Sequence, residues 1–426
     1  MPRLWANINH DLACLAADKA LREKWRRNDV RTFLEEWTGY SRYELLRDEL
    51  QNSGISHRLK WEITEEVALV VEDMVADICR GNDPEFDPVA VSSRRDGNTG
   101  KVRDIATLCF RHQLLDHTVR MGIEKLLAAR ILPTQHASIP AHGQTRLTRQ
   151  VQRFLNRKKL SIKVYQKLDG VHAYASIQYS GVIKLLQQEI PRAKWILKCM
   201  EYLGSIAPGG HLIIGGYLDA WLFNYVMSYA LRYVLSLQKS RRGNRYPLVV
   251  RAVTFMDDVL LLAANRTAIK QAASLLQRWL AENYGMKSRT TTGIVRLESV
   301  EAEKRRKKEK GARRGLVAID MGGYRIARSC ITLRKRNAPR IMKLFARAWA
   351  EYRETGTVRR QRACQLISRN GMLRNSDSRH LEAKYHVVEL MRVARKVQGY
   401  WSREAARKRK EKVAYVVYRH NEQCTA

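Results

Sequence analysis

The chain has 426 residues, enough for two or three subdomains around a core, and its 45% hydrophobic content excludes a disordered protein. A formal charge of +36 with a pI near 10.2 is like charge at a density that favours a polyanionic partner, nucleic acid first. No run approaches the ~18 apolar residues of a membrane span, the first twenty residues lack the apolar core of a secretory signal, and the seven cysteines show neither CxxC nor Cys/His pairing, so the expectation is a reducing cytoplasm with no zinc site and no disulfide framework.

The first 80 or so residues predict helices, with LEEWTGYSRYELLRDEL and KWEITEEVALVVEDMVADIC setting apolar residues at helical intervals. FDPVAVSSRR and KVRDIATL then flank DGNTG, the pattern of a basic hairpin. LLDHTVRMGIEKLLAARI predicts a helix ended by Pro133, followed by the loop ASIPAHGQT. SIKVYQKLD alternates as a half-buried strand does. Beyond the helical YLDAWLFNYVMSYALRYVLSL, YPLVVRAVTF and VLLLAA predict two strands on either side of Met256, Asp257 and Asp258. From ESVEAEKRRKKEKGARRG onward the chain is densely basic, with a linker over 298–315 and basic runs at 334–336 and 407–412.

Two adjacent carboxylates between apolar strands need water or a cation, because an unpaired buried charge is costly. Adjacent acids are common solvated turn formers, so the pair means little alone. Asp169 gives it meaning: it ends SIKVYQKL, and two neighbouring strands that each end in an acid bring carboxylates from distant positions to one point. Oxygen ligands of this kind suit Mg²⁺, and two such ions ~3.5–4 Å apart stabilise the attacking and leaving oxygens of a phosphoryl displacement. Asp169 and Asp257 are the expected bridging ligands, Asp258 stands behind them, and Gly170 adjoins the metal site.

These residues resemble a family. Phe-Met-Asp-Asp in an apolar hairpin is similar to the YxDD box of reverse transcriptases, with Phe255 at the tyrosine, and KLDGVHAYASI resembles the preceding acidic motif; further matches run from about residue 90 to about 385. The resemblance implies that Tyr174, five residues after Asp169, is the steric gate against a ribose 2′-hydroxyl. It implies that IIGGYLDAWLFN is the nucleotide-positioning motif, with Ile214 in place of the usual glutamine and Gly215 retained. Arg95, Lys101 and Arg103 match the hairpin that clamps the incoming triphosphate. IPAHG matches a fingers loop, with Gly143 permitting close backbone approach, and Lys287 a general acid for pyrophosphate release. DMGGYRIA resembles the primer grip, with Gly322, Gly323 and Tyr324 at the primer strand. ITLRKR, with Arg334, Lys335 and Arg336, and LISRNGMLRNSDSRHLEAKY resemble basic thumb helices that read a heteroduplex by shape.

The implied fold is α+β: a right-hand polymerase with a helical N-terminal extension (1–84), fingers and a palm of antiparallel sheet plus helices (85–328), and a helical basic thumb and tail (329–426). The implied activity is RNA-directed DNA polymerase, a nucleotidyltransferase using two Mg²⁺ ions and dNTPs to make cDNA. Within the family the chain is most similar to bacterial "unknown group", defence-associated enzymes of the class 2 type, which copy a structured non-coding RNA. A diversity-generating retroelement enzyme and a non-catalytic RNA-binding protein on a polymerase scaffold remain alternatives.

Overall fold

The computed structural model describes residues 8–52, 54–95, 100, 102–299, 301–303, 305 and 316–425, without the side chains of residue 379 and of residues 421–425. Helices α1 (His10–Leu21), α2 (Asn28–Thr38), α3 (Arg42–Asn52) and α4 (His57–Arg80) come first. Gly39, in the left-handed region at φ 74°, ends α2, so LEEWTGYSRYELLRDEL forms two helices rather than one. The basic hairpin pairs β1 (Ala90–Arg95) with β2 (Val102–Thr107); Lys101 and most of DGNTG lie outside the described residues. After it come α5 (Phe110–Gly122), α6 (Glu124–Arg130), β3 (Gln135–His136), α7 (Gln144–Asn156), β4 (Val164–Gly170), α8 (Ala173–Ser176), α9 (Tyr179–Glu189), α10 (Lys194–Ile206) and α11 (Tyr217–Ser236).

YPLVVRAVTF, expected as one strand, is divided. Its start belongs to a small exposed hairpin of β5 (Gln238–Arg241) and β6 (Asn244–Pro247), and its end is β7 (Arg251–Phe255). β8 (Asp258–Ala263), α12 (Arg266–Tyr284) and β9 (Ser288–Arg296) follow, then β10 (Ile319–Met321), β11 (Tyr324–Ile326) and β12 (Ile331–Leu333). ITLRKR therefore begins as a strand, not as part of a thumb helix: Ile331–Leu333 pairs with β11, and the three-stranded sheet straddles residue 328. The last helices are α13 (Asn337–Thr355), α14 (Arg360–Arg374), α15 (Arg379–Lys384) and α16 (Val387–Thr425). No helix among the described residues is long and apolar enough to cross a membrane.

A five-stranded sheet of order β3-β7-β8-β4-β9 lies at the centre, antiparallel except for the β3–β7 pair. Both faces are covered, which explains the unbroken apolar run VLLLA. Along β8, Val259, Leu261 and Ala263 join a core shared with α1, α4, α5 and α9–α12, while Leu260 and Leu262 join one shared with α7, β10–β12 and the C-terminal helices. The N-terminal helices thus pack into the core beneath the central sheet.

The chain's two ends are tied together. Glu49 of α3, 7% exposed, accepts from Arg31 at 3.0 Å and from both Nε and Nη2 of Arg409 on α16 at 2.8 and 2.9 Å, with Arg26 at 3.1 Å. Burial raises the Glu49 pKa, but Arg409, Arg26 and Arg31 outweigh it and hold the carboxyl below its usual value. Leu46 packs beside this cluster against Val413 and Val417. Glu49→Ala leaves Arg31 buried without its carboxylate and should cost about 3 kcal/mol in denaturant unfolding, with faster proteolysis within 387–425; wild-type stability would remove Glu49 as the anchor of α16.

Candidate functional site

Asp169 and Asp258 are direct partners across β4 and β8, and Arg289 is the partner of Asp169 across β4 and β9. Like charges directly opposite one another destabilise an antiparallel pair, and two cations offset them here. Arg289 donates from Nε and Nη2 to Asp169 Oδ2 at 3.3 and 3.0 Å, and Lys167, two residues before Asp169 on the same face of β4, lies 3.4 Å from Asp258.

Asp257 sits in the two-residue turn between β7 and β8, where Phe255 pairs with Asp258. Met256 takes φ 54°, the left-handed conformation that a tight hairpin turn asks of its first central residue and that a side chain this large adopts at a cost. Its N–H donates to His136 O at 3.1 Å, which fixes the turn to β3. On the other side the Gly170 N–H donates to Asp257 O at 3.3 Å, and a Cβ on Gly170 would lie 2.6 Å from Met286 and 3.2 Å from the Asp257 Cβ. Glycine at 170 is what allows β4 to close on the turn.

Burial pushes the Asp257 pKa up to about 6; the charges of Asp169 and Asp258 add to this, and Arg103 of β2 draws it partly back. Tyr174 of α8 lies in the field of both Asp219 and Asp257 and stacks on Phe223, with ring centroids 4.8 Å apart. A half-buried carboxylate repelled by two others is relieved by a cation. The donor set is all oxygen, the kind that suits a hard divalent ion such as Mg²⁺, but the oxygens of Asp169, Asp257 and Asp258 do not all come within 4.8 Å of one another here, so a cation would have to draw them together.

The other expected site residues divide. Ile214 O accepts from Ala106 N at 2.7 Å, and Gly215, at φ 123°, would put a Cβ 2.3 Å from Ala106 O, so this segment is clamped onto β2. Arg95 donates to Gly100 O at 3.3 Å on the exposed hairpin. Lys287 is exposed and its carbonyl accepts from Val171 N at 2.8 Å; the side chain that reaches Asp169 is Arg289, two residues on. Gly143 caps α7 in extended backbone, and a Cβ there would meet nothing of the protein itself within 4 Å. Gly322 and Gly323, at φ 58° and 86°, form the β10–β11 turn. Tyr324 is 1% exposed and belongs to the core on that face of the sheet, which corrects the expectation that it touches a primer strand. Arg334 pairs with Asp320 at 3.6 Å, and Lys335 and Arg336 are exposed.

Sequence reasoning missed a second pair of acids beside this site. Asp116 of α5 accepts from the N–H groups of Tyr217 and Leu218 at 3.1 and 3.4 Å, the first turn of α11. Asp219 accepts from Ile213 N at 2.9 Å and from the Tyr179 hydroxyl at 3.1 Å. Both acids are fully buried, and each keeps one oxygen without a hydrogen-bond partner. Burial lifts Asp219 to about 6, and burial together with the Asp219 charge lifts Asp116 well above its usual value. The two acids hold the main chain of 213–218 in place, and Gly216 is needed because a Cβ there would overlap Asp219 Oδ2.

HDLAC also places His10 and Cys14 one helical turn apart on α1, a Cys/His pairing the sequence expectation overlooked. With Glu65 they form the one group of three metal-capable side chains among the described residues whose ligand atoms all lie within 4.8 Å. His10 bridges Glu65 and Glu72, each at 2.7 Å, and burial with Glu65 raises the Cys14 thiol to about 11, so an ion-paired contact between α1 and α4 accounts for the group.

No family model matches the chain, and no curated protein matches it. Among solved structures, apo telomerase from Candida tropicalis is similar at 10% identity over 78% of this chain and 70% of that one, with a TM-score of 0.41. The same telomerase truncated from its C-terminal domain matches at 8% identity over 68% and 70%, TM-score 0.34. A Sicinivirus RNA-dependent RNA polymerase matches at 13% identity over 55% and 57%, TM-score 0.33. Likenesses this loose carry no argument, and the functional reading rests on the side chains.

The buried acids make stability depend on pH. Because the folded pKa of Asp219 lies above the unfolded value, the fold holds the extra proton, and this pair's contribution is greatest below pH about 4, falls as pH rises through about 6 and is level above that. Asp219→Asn retains the Oδ1 acceptor without the charge. Its denaturant stability relative to wild type should therefore rise between pH 4.5 and 7.5 by on the order of 2–3 kcal/mol. A difference that does not change with pH would show that the pair is not the titrating element.

Proposed function

We propose that the chain is a template-directed nucleic-acid polymerase, specifically an RNA-directed DNA polymerase. The observation that carries this reading is the placement of Asp169, Asp257 and Asp258 at the ends of adjacent strands, with Asp257 half-buried and repelled by the charges of the other two. In this reading residues 85–328 are fingers and palm, 329–426 are thumb and tail, and 1–84 are a helical extension whose core is continuous with the palm.

Mg²⁺ would be held by Asp169 and Asp257, with Asp258 behind them, and when bound would supply charge stabilisation for phosphoryl transfer. The protein's own part is positioning. The Met256 turn and Gly170 hold the carboxylates together, while Lys167 and Arg289 fix the outer oxygens of Asp258 and Asp169. Arg103 brings a guanidinium to the same side, where a triphosphate's charge has to be offset. Tyr174, held flat on Phe223, presents a rigid ring edge beside Asp257, which suits exclusion of a 2′-hydroxyl and hence a deoxynucleotide substrate. No side chain is required as a general base. The formal charge of +36 supports a long-lived RNA partner, and we assign it to a structured non-coding RNA template in an anti-phage defence system.

Asp257→Asn and Asp169→Asn should each lower Mg²⁺-dependent dNTP incorporation on a primed RNA template by at least about 100-fold, more than is typical for residues that merely support a metal ligand. Asp257→Asn should keep or raise the melting temperature, since it removes a charge that its surroundings repel. Retained activity in either variant refutes the metal site.

Tyr174→Ala tests the gate separately. The ratio of rNTP to dNTP incorporation should rise by about tenfold or more, an effect on discrimination rather than on RNA affinity. An unchanged ratio would return Tyr174 to a packing role against Phe223.

A further inference from the structure

A cavity of about 650 Å³ lies away from the carboxylates, between the N-terminal helices and the back of the basic hairpin. One wall is cationic: Lys19, Arg22, Lys24 and Arg27 come from the end of α1 and the turn into α2, against a single acid, Glu23. Arg22 and Arg27 have exposed partners in Asp18 and Asp29. Lys24 has none of that kind; it and Arg27 both donate to one neutral oxygen, Gln113 Oε1, at 2.9 and 3.3 Å. Burial and the neighbouring Arg27 lower the Lys24 pKa, the mark of a cation short of an anion.

The opposite wall is aromatic and main chain. Tyr217 stacks on His117 with ring centroids 4.1 Å apart and keeps 38% of its surface exposed. Burial, then the charges of Lys24 and Arg120, lowers the His117 pKa to about 4, so the imidazole is neutral at physiological pH and behaves as a flat stacking surface. Beside the rings lie Gly215 and residues 106–108, the end of β2 and the residue after it. That strand is continuous with the carboxylate site, since Arg103, three residues earlier and roughly 10 Å along the strand, is the residue whose charge reaches Asp257.

Phosphate-binding cations facing a ring with a free face are the two halves of a nucleotide-binding surface: charge for the backbone, stacking for the base. We infer that this cavity holds one or two nucleotides of single-stranded nucleic acid, the template strand just before it reaches the carboxylate site. The strand assignment rests on the polymerase reading; the nucleotide chemistry stands on the cavity alone. The cationic wall comes wholly from residues 19–27, so the N-terminal helices serve as part of the nucleic-acid surface as well as of the core.

The test measures binding by fluorescence anisotropy, without turnover, using the Asp257→Asn chain so that catalysis plays no part. The probes are an RNA–DNA duplex with a six-nucleotide single-stranded 5′ template extension, the same duplex blunt-ended, and ATP as competitor. The extension should tighten binding about tenfold or more, and Lys19→Glu/Arg22→Glu and Lys24→Gln/Arg27→Gln should each abolish that gain while changing blunt-duplex affinity less than twofold. The salt dependence for the extended probe should flatten by ~0.7 log–log unit for each phosphate no longer neutralised. Tyr217→Ala, at an exposed ring, should lose part of the gain with the salt slope unchanged, separating stacking from charge.

An extension that adds nothing, or charge variants that weaken both duplexes equally, would overturn the assignment. Displacement of the extension by micromolar ATP would overturn the strand in favour of a free nucleotide. Because binding and incorporation are read separately, a chain that holds the extension but never incorporates dNTP refutes the polymerase and leaves the cavity's ligand established.

Discussion

The arrangement depends on the repulsion among Asp169, Asp257 and Asp258. Left to themselves, three carboxylates at the ends of neighbouring central strands would separate, and each local feature around them opposes that. The Met256 turn forces the tip of the hairpin back, the main chain of Gly170 ties to Asp257, and Lys167 and Arg289 take the outer oxygens. What is left is a raised pKa of about 6 on Asp257, the carboxyl that the lysine and the arginine leave uncovered. Groups whose charged form is disfavoured in this way are functional-site candidates because ordinary packing does not select for them.

That geometry asks for a rigid sheet, and the two-sided burial of β4, β7 and β8 provides it. Alternate residues of β8 enter different cores, so a shift of one position would exchange those cores and carry Asp258 off the face it shares with Asp169. The register that buries the strand is therefore the register that assembles the site. Folding energy and site geometry are set by the same hydrogen bonds.

Much of this could be read from residue types and spacing. The acids at strand ends, the basic hairpin and the long helix over 217–236 follow from period and composition. What could not be read depends on what each residue faces. Lys167 and Arg289 are two among 78 basic residues, and only the register across β8, β4 and β9 singles them out. Asp116 within DHTVRM looks like the solvent side of an amphipathic helix, yet it is buried on the N–H groups of α11. Tyr324 sits in a glycine turn that suggests exposure, but the ring turns into the core. Ile331–Leu333 is too short for its period to distinguish a strand from a helix start. The run over 246–255 reads as one strand because alternation does not reveal that Leu248 N bonds Leu237 O while Val250 N bonds Leu262 O.

The two acid clusters lie close together and solve the same problem in opposite ways. Asp116 and Asp219 are sealed from water, accept from main-chain N–H groups and a tyrosine hydroxyl, and are stabilised by a proton; they keep 213–218 fixed. Asp257 draws on its own main-chain N–H and lies where a cation can reach it. Tyr174 is in the field of both Asp219 and Asp257, and β2 touches both regions through Arg103 and Ala106. A movement of the hairpin that shifts Ala106 against Ile214 therefore also shifts the charge of Arg103 at Asp257. The sealed pair is the fixed frame, Ile214 and Gly215 hold β2 against it, and the electrostatics of the open cluster depend on where that strand carries Arg103.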